Sequence, residues 1–504
     1  MDILAPTLAS FNPDERKQFR LWISRQGNPR LEIQLFDLMT GDNELSYAEL
    51  RARLYQNGSM HGYKKLRTRL LNRVTEFLVL RRLESDHSGG SNALAMISIC
   101  HYLIGKNIPE VAIEFLRKAE AVARKHRKYE ILEVVYPNYI ACADELNLDV
   151  EPIISRAEYN GQRYLAMKKL IHAHAALRQL VRRSRRVGEL LDVENQLNTL
   201  RGTFNLSVEE ANDPAYMVEY VSMFRSAIIS GKDYIAFERF AKRIYWRMSN
   251  ASLFQEGDIE YETGFIFMIA HAVYRNRRFA ESLMWLELLE SKVVANNFPN
   301  ASIYPKYISL KAAVASYSGD NVKAVYVMQT ALKSRNKIAE IREILNMKLN
   351  LAVYHFQAND FRKAIRMLQD LGFDDKWLEE RMGKEWRFKK EMIELIVHYE
   401  LSNEELSVKM LNRMLNYYSG FLNHPVYFRA KLFLDFVSIM IKDPHSVSNP
   451  EFRSKVREAQ LGWPGYKEDV QAITFFCWLL SKIVKRPYYE VLLERVQEDV
   501  ETIN

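Results

Sequence analysis

The side chains best suited to chemistry are scattered along this chain rather than assembled into motifs. Eleven histidines are dispersed through 504 residues. His172 and His174 stand two positions apart, which puts them about 200° apart on a helix and rules out joint metal ligation. Cys100, Cys142 and Cys477 form no CxxC pair and supply neither a disulfide framework nor a zinc cage. Each sits in an apolar stretch, where a free cysteine serves as a small buried hydrophobe. The paired carboxylates Glu379 and Glu380 lie in a charged run that reads as a solvated helix face; general acid–base work needs a pocket that perturbs them. No GxGxxG, GxxxxGK[ST], HExxH or GxSxG occurs. Ser230-Gly231-Lys232 has no glycine five positions upstream to build a phosphate cradle. The residue types therefore point away from an enzyme, a metal protein or a cofactor protein.

Binding chemistry is better represented. Between Arg51 and Arg82 the net charge is +8, and between Arg163 and Glu189 it is +7, against +8 for the whole chain; the rest carries −7. In the first segment Lys65, Arg69 and Arg73 recur every four residues beside the apolar stripe Leu66, Leu70 and Val74. The preceding short helix and turn give a faint helix-turn-helix pattern, whose second helix would face nucleic acid. The plainer reading is a solvated face with cationic stems covering apolar neighbours. In the second segment Arg182, Arg183, Arg185 and Arg186 point around more than half of a helix, suiting an acidic protein groove, an RNA backbone or simply water. Among 27 tyrosines, Tyr304, Tyr307, Tyr317 and Tyr354 are candidate contacts for a partner; their alternative is packing between helices with the hydroxyl at the surface.

The elements that hold these groups are helices. Gly (19) and Pro (14) are scarce where average usage would give about 35 and 25, which favours long helices and short turns. The hydrophobic share of 48% and charged share of 27% are those of a folded chain. The start lacks the basic and apolar regions of a signal peptide. The most apolar run, Ala472 to Leu480, is too short to span a bilayer and reads as a core helix. With the unpaired cysteines this predicts a soluble, cytoplasmic protein.

Four helices are predicted in residues 1–85. Asn12-Pro13-Asp14-Glu15 opens the first, which carries Phe19, Trp22 and Ile23. Leu31, Leu35 and Leu38 mark the second. The third spans about Tyr47 to Tyr55, and the fourth about Tyr63 to Leu83. Ser85 to Ser91 reads as a linker. Beyond it nearly every segment has the 3.6-residue period, with no strand pattern.

An internal repeat runs through that region. Gly319, Ala324, Met328 and Ala331 set its spacing, and Asn359, Asp360, Phe361, Ala364, Leu368 and Leu371 repeat it. Weaker copies are Phe279, Ser282 and Leu286; Tyr234, Phe237 and Ala241; and Ala112, Leu116 and Ala119. The equivalent positions 237, 282, 324 and 364 lie 45, 42 and 40 residues apart. The pattern resembles the tetratricopeptide repeat (TPR), whose unit is about 34 residues, and more loosely the long-period TPR-like proteins of bacteria. The resemblance covers residues 92 to 420, and the first-helix Trp-Leu-Gly-Tyr part of the motif is mostly missing. It implies an all-α fold: an α-solenoid of antiparallel helix pairs at 92–422, with helical caps at 1–85 and 423–504. It also implies a non-enzymatic scaffold or adaptor that binds a protein or peptide on its concave face, lined by the first helix of each pair. The alternative is a nucleic-acid-associated regulator whose basic N-terminal helices touch DNA or RNA.

A salt titration separates the two. Phosphate contact by Lys65, Arg69 and Arg73 requires the slope of log affinity against log salt to fall by about 1 for each residue changed to Ala. The scaffold reading expects no appreciable duplex or single-strand binding near physiological salt. It also expects the triple variant to fold normally, because Leu66, Leu70 and Val74 are untouched.

Overall fold

A computed structural model describes the chain apart from residues 1, 12, 28–29, 42–44, 56–58, 86–88, 188–192, 207–211, 232–233, 296–302, 334–339, 424–426, 462–469 and 499–504. It is all-α; no strand occurs among the described residues. Among the described residues no helix is long and apolar enough to cross a membrane. The chain divides into two compact units, Met1–Ile154 and Ser155–Asn504.

The first unit begins with α1 (Leu4–Ala9), α2 (Pro13–Ser24), α3 (Arg30–Thr40), α4 (Tyr47–Leu54) and α5 (Met60–Ser85). The last four answer to the four predicted helices; α1, a single apolar turn and a half, has no sequence signature of its own. Their apolar stripes meet in one core. Phe19, Ile23, Leu35, Leu66, Leu70 and Val74 are fully buried, and Phe19 packs on Phe36 and Phe77 with ring centroids 4.8 and 5.3 Å away. Ser46 and Glu49 close a capping box on α4. Then follow α6 (Gly90–Ile104), α7 (Pro109–Lys125) and α8 (Tyr129–Glu145). Ala112, Leu116 and Ala119 are all buried on α7. Cys100 on α6 and Cys142 on α8 are buried, with their thiols near enough to affect one another's ionisation. Burial, with the neighbouring Cys142, pushes the Cys100 thiol up to about 11, so it stays protonated and unreactive at neutral pH. Sequence distance concealed this meeting.

α9 (Glu151–Val187) crosses the division. The second unit continues with α10 (Val193–Thr203), α11 (Pro214–Gly231), α12 (Tyr234–Asn250), α13 (Ile259–Arg275), α14 (Phe279–Ala295), α15 (Tyr304–Tyr317) and α16 (Asn321–Lys333). After these come α17 (Ile341–Gln357), α18 (Phe361–Gln369), α19 (Asp375–Met382), α20 (Lys384–Glu400), α21 (Glu404–Tyr417), α22 (Ser419–Leu422), α23 (Phe428–Lys442), α24 (Pro450–Leu461), α25 (Val470–Val484) and α26 (Tyr488–Glu498).

One turn recurs. α13/α14, α15/α16, α17/α18 and α20/α21 are each joined by three residues, of which one is left-handed: Arg277, Gly319, Asn359 and Ser402. The next residue's N–H reaches back five positions to a helix carbonyl: Arg278 to Val273, Asp320 to Ala315, Asp360 to His355 and Asn403 to His398, at 2.9–3.1 Å. This closes the helix end and reverses the chain. Gly319, at φ +94, holds the least strained position of the set. Asp320 and Asp360 then cap the following helix by accepting from the N–H of Lys323 and Lys363, at 2.9 and 3.2 Å.

Small residues govern how closely the paired helices approach. Ser282, Ala324, Ala364 and Ser407 are buried at equivalent points of α14, α16, α18 and α21. Ser282 donates its hydroxyl to the Ala270 carbonyl on α13 at 2.9 Å, which requires near contact of the two backbones. Met328 and Ala331, four and seven positions after Ala324, are buried as the spacing predicted. The Ser407 copy escaped the sequence reading because both its turn and its small position are serine. Replacing Ala324 by Phe should overpack the crossing and cost about 1–3 kcal/mol in chemical denaturation. Val322→Ala, at a position 83% exposed on the same helix, should stay within about 0.5 kcal/mol of wild type.

Candidate functional site

The first helices of the second unit are buried nearly all round, whereas the second helices bury one face. α13 buries eleven of its 17 residues and α17 ten of 17; α16 buries four of 13 and α18 three of nine. The second unit holds a cavity of about 930 Å³. Its wall comes mainly from α11, α13, α15, α17 and α20, with Ile303 just before α15, Met382 at the end of α19, Thr474 and Phe475 of α25 and Tyr488 of α26 completing it. None of the wall residues belongs to α12, α14, α16 or α18.

The C-terminal hairpin is firmly attached. Tyr488 stacks edge-on against Phe356, centroids 5.3 Å apart, and the Tyr489 hydroxyl donates to the Ser316 carbonyl. The Trp478 indole N–H donates to Glu400 Oε1 at 2.6 Å. Beneath it lies a small polar knot. Asn321 donates to the Tyr354 carbonyl at 2.8 Å, and Ser316 to Gln357 at 2.7 Å.

The wall mixes apolar, aromatic and charged groups. Phe267, Met268, Leu310, Val353 and Ile393 supply apolar surface. Gly264 sits mid-helix on α13, where a glycine costs about 1 kcal/mol against alanine. A Cβ built there would meet nothing within 4 Å, so the glycine faces open space. Trp386 donates its indole N–H to Asn346 at 2.9 Å. Glu260, Glu343 and Glu385 all lie in the first turn of their helices, where the helix dipole favours a carboxylate.

Arg225 and His271 occupy the opposite end of that wall. Part of each faces the cavity while the rest is set deep in protein. Arg225 Nη2 lies 3.4 Å from His271 Nδ1. Burial, then the Arg225 and Arg275 guanidiniums, hold His271 well below its ordinary 6.5. The imidazole is therefore neutral at pH 7.

The tyrosines singled out from sequence separate here. Tyr317 and Tyr354 line the cavity, and burial pushes the Tyr354 hydroxyl well above its ordinary value. Tyr304 and Tyr307 do not line it. Tyr307 accepts from Lys311 at 2.7 Å, and Lys311 in turn pairs with Glu290 on α14 at 2.9 Å. Neither basic segment contributes to the wall. Lys65 is exposed, Arg69 pairs with Glu32 at 2.9 Å and Arg73 with Glu76 at 3.0 Å. The stripe is thus partly neutralised within the first unit. Arg182 and Arg183 are exposed on α9; the side chains of Arg185 and Arg186 lie outside the described residues. His174 hydrogen-bonds Glu219 at 2.5 Å and Ser226 at 2.9 Å. Glu379 is half-buried, accepting from Arg387 and Tyr417 at 2.7 and 2.8 Å, while Glu380 is exposed. Among the described residues no three His, Cys, Asp or Glu side chains gather as a metal-binding group. Sequence reasoning missed Arg225, Gly264 and His271. The one available signal was a glycine inside an otherwise strongly helical run.

No family model and no curated protein matches the chain.

The neutral His271 has a consequence for stability. The native state binds its proton less tightly than the unfolded chain does. Its contribution is therefore present above pH 6.5 and is lost as pH falls from there toward the depressed native value. Thermal melts between pH 7.5 and 5 should show His271→Gln losing less stability than wild type, by at most about 1.4 kcal/mol per pH unit. Parallel curves would place the imidazole in open solvent.

Proposed function

We propose that the second unit is a TPR-like array of helix pairs whose first helices form a docking groove, and that the protein is a non-enzymatic scaffold binding a peptide segment of a protein partner there. The observation that carries this reading is the alternation in the cavity wall: α11, α13, α15, α17 and α20 supply most of it, joined by Met382 of the short α19, and the second helices α12, α14, α16 and α18 supply none. A repeat of two helices with a constant turn and a small residue at the crossing puts equivalent faces on one side. A groove of this size suits a peptide: apolar and aromatic area gives affinity, and a few fixed polar groups give orientation. The wall stands on helices already packed on several sides, so docking orders few side chains and loses little entropy. The ion pairs of Arg69 and Arg73 within the first unit weigh against the nucleic-acid alternative.

The test is occlusion. Gly264→Trp places an indole in the open space at α13 and removes a helix-interior glycine, so the fold should be at least as stable as wild type. With a random peptide library as probe, the variant should lose about tenfold or more in retained peptide, the scale of one buried aromatic's worth of contact. Tyr326→Ala, on the outer face of α16 and 69% exposed, should bind as wild type does. Equal binding by Gly264→Trp and wild type would overturn the groove reading.

A further inference from the structure

The charged groups of the cavity wall fall into two kinds. The carboxylates Glu260, Glu343 and Glu385 each sit in a helix first turn, and the helix N-terminus accounts for them. Arg225 has no such account. Its Nε is buried with no hydrogen-bond partner, and no carboxylate lies within ion-pair distance of its guanidinium among the described residues. Its single polar contact among the described residues, Nη2 to His271 Nδ1, is to a ring that carries no charge at neutral pH. Burial disfavours the guanidinium's charge, the nearby Tyr234 phenol favours it without carrying a charge at neutral pH, and Arg275 is of like sign. The wall acid on the neighbouring helix, Glu260, precedes His271 by eleven residues, about 16 Å along α13. A guanidinium set deep in protein is normally paired, because leaving it alone forfeits the water it lost. Two helix pairs further along the wall, on α15, the Ser309 hydroxyl is buried without a partner. Unsatisfied polar groups on the wall of an open cavity are what a ligand's polar atoms complete.

We propose that Arg225 is an anion subsite of the groove: it receives an oxyanion, carboxylate or phosphate, carried by the docked segment. The inference rests on the groove reading above and names the partner's chemistry: a segment with one acidic or phosphorylated side chain presented to the α11 end. The planar fork of the guanidinium matches either group through two parallel N–H donors. His271, neutral and held beside it, accepts from one Nη and fixes the plane of the fork. Lys306, exposed, and Lys389, half-buried, elsewhere in the wall, add cationic character.

The test uses the full chain and three peptide libraries on one random background: one with Asp and Glu allowed, one with phosphoserine allowed, one with both excluded. Wild type should enrich an anionic residue at one position and retain the uncharged library at least about tenfold less well, the scale of one charge-assisted hydrogen-bonded pair. Arg225→Gln should lose the enrichment while still retaining peptides; Arg225→Lys should keep a weakened preference, since the charge stays and the fork goes. Melting curves of both variants check the fold. Which of the two anionic libraries wins identifies the oxyanion. Peptides bound without anionic enrichment, or an enrichment surviving in Arg225→Gln, would overturn the anion subsite and leave the groove intact. Peptide retention indifferent to Gly264→Trp, or absent in wild type, would overturn the groove and this inference together.

Discussion

A single left-handed residue at four helix reversals is the constraint on which the second unit depends. At Arg277, Gly319, Asn359 and Ser402 the backbone turns positive in φ, and the next N–H bonds the carbonyl five residues earlier. The bond satisfies a helix-end acceptor and fixes where the second helix departs. Because the turn is three residues each time, the departure direction repeats. Neighbouring pairs then present equivalent faces to one another, and a one-residue change in a turn would rotate the following helix by about 100° and bury the wrong stripe. The small residue at each crossing acts downstream of this: it sets how near the two helices come once the turn has aimed them.

Burial follows from that geometry. A first helix packs on its own partner and on its neighbours, so apolar residues appear all round α13 and α17. A second helix packs on one side only, and its other side is free to carry charge, as Arg362, Lys363 and Arg366 do on α18. Several polar groups inside are paired: Ser282 with the Ala270 carbonyl, Asn321 with the Tyr354 carbonyl and Ser316 with the Gln357 side chain. Arg225, with Ser309 on the same cavity wall, departs from this economy, and departures of that kind tend to mark function rather than stability.

The sequence made the repeat legible where residue type and turn chemistry agree. Ala324, Met328 and Ala331, and Ala364 and Leu368, stand where spacing put them. Gly319-Asp320 and Asn359-Asp360 announce the left-handed turn and the cap that follows. Legibility failed where a different residue meets the same physical need. Arginine and serine hold the left-handed position at 277 and 402, and serine replaces alanine at 407, so those turns carry no composition signal. Charge was misleading in another way. The dense basic run of α5 drew attention, but Glu32 and Glu76 take up two of its three cations, and Glu32 is distant in sequence. The isolated Arg225 and His271 gave no signal, because only packing tells an unpaired cation from a solvated one. The contact between Cys100 and Cys142 was hidden for the same reason.

Amide hydrogen exchange on the full chain, with and without a saturating library-selected peptide, bears most directly on the claim that the alternate helices form the docking face. Protection should rise on wall segments of α11, α13, α15, α17 and α20, with little change on α14, α16 and α18. Protection concentrated on the second helices, or on α5 in the first unit, would contradict it.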